Sequence, residues 1–336
     1  MLRVYFIAWL VLIPMFGGCD RASKTAGTAV APLAVVRLGF FPNITHAQAV
    51  LGVSSRDFAA AVGPVKFMAT PFNAGPGLIE ALNVGAIDVG YVGPGPAINA
   101  FVRSHGDSIR VISGAASNGV LIVARKDSGI RSMSDLKGRK IATPQHGNTQ
   151  DIAAKHYVTA TLGQSNTDNI LPIANADQMA AMARGEIDAA WDPEPWGSLL
   201  INAAGATLVS EEKDLWPGKK FALTVIVTTP KFLSEHPDVV QKLLSVNSTW
   251  TQRLATDPTR YTAQLEQGLA ALAGKPLPPG VTAAALQHVL FTEDPSPATF
   301  DADAQWAFDL GLAREKPDLS GLIDLSILQK IQQRHP

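Results

Sequence analysis

Short apolar, β-branched runs alternate with stretches of helical spacing along most of the chain. Val35-Val36-Arg37-Leu38-Gly39-Phe40 predicts a first strand, and Phe41 to His46 breaks it. A helix is predicted over 47–62, stopped by Gly63-Pro64. Strands follow at 65–69, 88–92, 109–113 and 120–124, with helices at 78–83 and 97–104 between them. From Ser134 the alternation restarts, with strands at 140–143, 170–174 and 187–191 and helices at 151–162 and 178–184. After an apolar run at 221–228 the pattern turns helical, at 237–255, 283–290 and 298–313. Strands separated by helices are the grammar of βαβ units with parallel sheets. The fold class is therefore α/β.

An internal echo divides the body in two. Residues 79–97 read IEALNVGAIDVGYVGPGPA and residues 179–197 read MAAMARGEIDAAWDPEPWG. At this offset Gly85 meets Gly185, Asp88 meets Asp188 and Tyr91 meets Trp191. Each copy reads as helix, glycine stop, short strand and a proline-rich turn opening another helix. Two similar lobes would leave a crevice at the carboxyl ends of their strands, where open α/β sheets bind ligands.

The first residues follow another logic. Arg3, an apolar stretch from Val4 to Phe16 and Gly17-Gly18 precede Cys19, the one cysteine of the chain. That is the layout of a secretory signal. It resembles a bacterial lipobox, which implies a signal peptide over 1–18, lipidation at Cys19, a flexible tether over 19–33 and work outside the cytoplasm. Lipid chains would hold the protein at a membrane without a span.

Composition narrows the function classes. The 336 residues carry 28 basic and 29 acidic side chains, leaving no surplus charge to neutralise a nucleic-acid backbone. One cysteine excludes a disulfide framework and a multi-cysteine metal site. No nucleophile elbow, zincin helix, phosphate loop or dinucleotide fingerprint occurs. The seven histidines are scattered and none pairs with another at ligand spacing, so no metal site and no cofactor is expected. His46 and His146 stand apart from the others because both lie in strand-to-helix loops.

Those loops carry the chemistry. Thr45, Asn73, Gly93-Pro94-Gly95, Asn148-Thr149 and Asp192-Pro193-Glu194 each stand between a strand and a following helix. Helix N-termini offer unpaired N–H groups and about half a positive charge. Several converging on one crevice make an anion site without arginine. Thr45, Asn73 and Asn148 read equally as plain helix caps.

Four blocks, Arg37–Gly52, Ile79–Phe101, Asp135–Ala153 and Gly185–Gly197, resemble the solute-binding proteins of ABC importers in the nitrate/sulfonate/taurine group, most of all the aliphatic-sulfonate binders. The resemblance implies a type II periplasmic-binding-protein fold: two Rossmann-like lobes, joined by two hinge strands, closing on a small anion. Lobe one would be 34–117 plus 226–336 and lobe two 118–225, with crossings near 117–121 and 223–227. It further implies a ligand site of Asn43, Thr45, His46, Asn73, Gly93, Pro94, Gly95, Gly147, Asn148, Thr149, Trp191 and Asp192, with Glu194 beside them. The run Glu194-Pro195-Trp196 looks more like the nitrate and bicarbonate binders, a type in which a metal can share the site. The partners implied are a permease and an ATPase, for a monomer that is not an enzyme. An alkylsulfonate is the leading ligand, with nitrate, bicarbonate and taurine as alternatives. A thiamine-pyrimidine-synthase-like enzyme or a receptor's sensory lobe are the rival functions. Glu194 is awkward beside an anion. It is expected to turn away and pair with a basic residue, the alternatives being a cationic ligand group, a metal, or protonation.

Overall fold

The computed structural model describes residues 33–313 and 315–333. The signal, Cys19 and all but the last residue of the tether lie outside them. Eleven strands are present among the described residues: β1 (Val35–Phe40), β2 (Lys66–Pro71), β3 (Val89–Val92), β4 (Arg110–Asn118), β5 (Val120–Ala124), β6 (Ile141–Thr143), β7 (Ile170–Pro172), β8 (Ala189–Pro193), β9 (Thr207–Glu211), β10 (Ala222–Thr228) and β11 (Val289–Phe291). They form two sheets, ordered β11-β4-β10-β3-β1-β2 and β7-β6-β8-β5-β9. In each, three parallel strands are joined by a fourth, antiparallel one: β10 beside β3, and β5 beside β8. Helices cover the sheets, giving two α/β lobes with their own apolar cores.

The echo at an offset of 100 residues is structural. β1 pairs with β3 as β6 pairs with β8, all parallel. Asp88 accepts the Arg37 N–H through its carboxylate, and Asp188 accepts the Lys140 N–H in the same way. Gly85 and Gly185 both close the preceding helix with φ near +70°, where a β-carbon would be strained. Ile87 and Ile187 are buried just beyond them. The same local chemistry therefore builds the same helix stop and strand entry twice.

The chain passes from the first sheet to the second at Asn118-Gly119, both left-handed at φ +61° and +75°. Asn118 is the side chain best suited to that conformation after glycine. Its N–H donates to Phe221 O and its Oδ1 accepts the Phe221 N–H, so the outward and return passages are tied together. The whole of β10 pairs within the first sheet, so the return passage precedes Ala222 rather than running through 223–227. The C-terminal part does not keep to one lobe either. Helix Pro297–Asp309 packs on helix Pro94–Arg103 and on helix Thr149–His156.

Some elements differ from the sequence expectation for local reasons. The helix over 47–62 is two, Ala47–Ser54 and Asp57–Val62, parted at Arg56 with φ +64°. Ser54 and Ser55 both donate their hydroxyls to Leu51 O, closing the first helix early. The helix over 283–290 ends at Leu286, and residues 289–291 form β11 against β4. Sheet pairing across a long sequence separation outweighs the local pattern there.

Candidate functional site

A cavity of about 760 Å³ lies between the lobes at the carboxyl ends of their strands. Of the residues expected there, Asn43, Thr45, His46, Asn73, Gly93, Asn148 and Thr149 line it. Pro94, Gly95, Gly147, Trp191, Asp192 and Glu194 do not line it. Its wall includes amides and hydroxyls, among them Gln145, Gln150, Asn175 and Thr224, together with Phe41, Phe72 and Trp196. Among the described residues the lining contains no lysine or arginine, and its one carboxylate is the exposed Asp177.

From the first lobe, a tight turn after β1 presents Asn43, Thr45 and His46. The Thr45 hydroxyl donates to Asn43 Oδ1 at 2.9 Å. His46 is stacked on Phe41 at 4.4 Å, and its Nδ1 accepts the Phe41 N–H at 3.2 Å. Burial pushes its imidazole down to about 3, so the ring is neutral at ordinary pH. With Nδ1 accepting, the ring proton sits on Nε2, and His46 is a neutral N–H donor. Gly93 stands at the start of helix Pro94–Arg103. Pro94 lacks an N–H, and the N–H of Gly95 is already given to Thr149 Oγ1 at 3.2 Å, so neither is a donor to the cavity.

From the second lobe, the loop after β6 presents Asn148 and Thr149 at the start of helix Thr149–His156. Asn148 is a helix cap as well as a wall residue: its Oδ1 accepts the Asp151 N–H at 2.9 Å, and its amide donates to Gln150. The loop is held from behind. Buried Asp151 accepts from Gly147 N–H at 2.8 Å, from the Lys155 ammonium at 2.8 Å and from the Thr143 hydroxyl at 3.2 Å. Gly147 therefore shapes the loop, with φ +73° and its N–H spent on Asp151, and does not line the cavity.

The remaining expected residues lie behind the wall. Trp191 is fully buried in the second lobe's core, its Nε1–H donating to Glu212 at 2.6 Å. The strand's alternation sends this side chain into the core, away from the cleft. Asp192 is buried too, and its Oδ1 accepts from the amides of Asn175 and Gln178. Burial pushes its carboxyl up to about 8. Asp192 thus orients Asn175, which does reach the cavity. Glu194 turns away from it and closes its own helix, Trp196–Ala204. Its Oε2 accepts the Ser198 N–H at 3.0 Å and its Oε1 the Ser198 hydroxyl at 2.6 Å, with His288 Nε2 at 3.9 Å. Burial raises its pKa.

Thr224 had a faint signal in the sequence. With Thr228 at the strand's end, it is one of two polar residues in the buried strand Ala222–Thr228. It falls at a register shift between β10 and β4, where bulges re-aim side chains. Its buried hydroxyl has no hydrogen-bond partner among the described residues. Asn175 follows from no motif; the contact with Asp192 that orients it is visible only in three dimensions.

The alkanesulfonate-binding protein SsuA of Xanthomonas axonopodis pv. citri, solved bound to MOPS, is 25 % identical. The match covers 88 % of this chain and 99 % of that one, with a TM-score of 0.73. The nitrate-binding protein NrtA of Synechocystis PCC 6803 shares the fold at 12 % identity, covering 90 % of this chain and 89 % of that one, with a TM-score of 0.75. The taurine-binding periplasmic protein of Escherichia coli is 27 % identical over 209 residues, 61 % of this chain and 63 % of that one. The chain spans about half the length, 53 %, of the first curated relatives it matches. The two lobes are thus those of a type II periplasmic-binding-protein fold. The model of the NMT1-like family matches residues 29–265, most of the chain, and to that family the chain belongs.

Proposed function

We propose that this protein is the extracytoplasmic receptor of an ABC importer and captures an organic sulfonate between its lobes. The observation that carries the reading is the lining of the cavity. Neutral side-chain donors from both lobes and the N-terminal end of helix Thr149–His156 face it, with no lysine or arginine among the described residues that line it. Such a site holds an anion by dipoles and hydrogen bonds and releases it without a fixed counter-charge.

Size and apolar lining favour a sulfonate over nitrate or bicarbonate. About 760 Å³ is the size of a small-molecule pocket, far beyond a bare ion of four atoms. Phe41, Phe72 and Trp196 would take an apolar tail. The names of the alkanesulfonate and taurine binders point the same way. Asp177 at the wall would suit an amine, which keeps taurine as a second reading.

In this reading Cys19 is lipidated after removal of residues 1–18, and the monomer delivers its ligand to a permease and an ATPase. The lobes that close would follow the sheets, crossing at 118–119 and again just before 222, with helix Pro297–Asp309 touching both. A thermal-shift panel of butane-1-sulfonate, taurine, nitrate and bicarbonate tests the reading, since a ligand of the native state raises the melting temperature by mass action. Butane-1-sulfonate is expected to give the largest rise. A rise with nitrate or bicarbonate alone would contradict the tail argument.

A further inference from the structure

Where the lobes meet at the mouth of helix Pro94–Arg103, one hydroxyl from the second lobe reaches backbone of the first. Thr149 Oγ1 accepts the Gly95 N–H at 3.2 Å. Nearby, the Asn99 amide donates to Gly147 O at 3.4 Å, again across the lobes. The two lobes approach closely at both glycines. A β-carbon on Gly93 would lie 2.5 Å from Thr149 Oγ1, and one on Gly95 would lie 3.1 Å from Thr149 N and 3.2 Å from Ile152 Cδ1. Neither glycine has a positive φ, and Gly93 sits at −75°. Backbone conformation therefore does not call for glycine at either position; the close approach of the second lobe does, most sharply at Gly93, where Thr149 would have to move.

We infer that Thr149 is a clasp between the lobes, joined to the first through Gly95 and seated against Gly93. A threonine hydroxyl has one proton and two lone pairs. The bond to Gly95 uses a lone pair, so the proton is left for an oxygen in the cavity that Thr149 lines. One atom then joins ligand capture to lobe closure. A bound oxyanion polarises the hydroxyl and strengthens its hold on Gly95, and the hold on Gly95 fixes the hydroxyl for the anion. Thr149 is not the helix cap, a role filled by Asn148, so its side chain is free of that duty.

This inference rests on the sulfonate reading above, and its test separates the two. Butane-1-sulfonate is the probe, followed by tryptophan fluorescence for dissociation and by solution scattering for size. Thr149→Val is expected to release the probe at least about tenfold faster, from loss of a charge-assisted bond. Thr149→Ser, which keeps the hydroxyl, should stay within about threefold of the parent. Gly93→Ala should give a larger radius of gyration than the parent when both are saturated with probe. Unchanged dissociation in Thr149→Val, with or without a lower melting temperature, would reduce Thr149 to ordinary packing and overturn the inference. If the parent binds no probe, the sulfonate reading fails and the clasp is judged by scattering alone. An unliganded Gly93→Ala protein larger than its parent then supports the clasp, and an equal size overturns it.

Discussion

Residues 93–96 and 193–196 occupy the same place in the two lobes, and they do opposite things with it. Each turn follows the third parallel strand and opens a helix. In the first lobe the turn is Gly93-Pro94-Gly95-Pro96, small enough for the other lobe to approach the backbone. In the second it is Pro193-Glu194-Pro195-Trp196, and the Glu194 carboxylate folds back on the helix it precedes. The Ser198 N–H at that helix start is taken by Glu194, so it is not offered to a ligand. The two lobes thus have equivalent helix starts. One faces the cleft, and the other became part of the wall, contributing Pro193 and Trp196.

Removing Glu194 is the harshest way to probe this difference. Glu194→Ala leaves the buried Ser198 N–H and hydroxyl without their acceptors and opens a small void. A loss of about 3 kcal/mol is expected, as two bonds to a buried carboxyl and a helix closure go together. Chemical denaturation measures it, and the ranking of ligands should not change. A changed ranking with unchanged stability would return Glu194 to the ligand site.

The next contrast is Val92 against Asp192, equivalent and equally buried. The Asp192 carboxyl is pushed up to about 8 by burial, whereas in the unfolded chain it ionises at about 3.9. The folded state therefore holds an extra proton between those values. The stability this contributes is complete below about pH 4 and is lost as pH rises toward 8. Asp192→Asn mimics the neutral acid and escapes that loss. Melting curves should show the variant gaining on the parent from pH 5 to pH 8. A constant difference across that range would mean the carboxyl does not titrate there.

Smaller effects sharpen the comparison between the loops after β1 and β6. Only the second starts a side-chain-capped helix. Asn148→Ala should cost about 1 kcal/mol of stability through the lost cap, measurable by denaturant titration. Thr224→Val should instead raise stability, by up to about 1 kcal/mol, because it removes a buried hydroxyl without a partner. A fall in stability would reveal a structural partner for that hydroxyl.

The strand-helix alternation, the echo of 79–97 in 179–197 and the loops that face the cleft were all legible in the sequence. They depend on local chemistry: glycine stops, β-branched runs and polar residues at helix starts. What escaped depends on the direction of a side chain. Trp191 and Asp192 sit on the right strand, but they point to its opposite faces and both faces are covered. Gly147 and Asn148 are neighbours, yet the N–H of one is consumed behind the loop while the side chain of the other reaches its front. β11 and Asn175 were hidden for another reason: partners far away in the chain define their roles.

The central claim is that a neutral cleft holds an anion with an organic tail. Titration calorimetry of the unmodified protein with butane-1-sulfonate and with nitrate tests it most directly. One site per chain is expected, with the sulfonate at least about tenfold tighter, because burying its four-carbon tail adds roughly 0.8 kcal/mol for each methylene fully removed from water. Nitrate binding as tightly as butane-1-sulfonate, or heat from neither, would contradict the account.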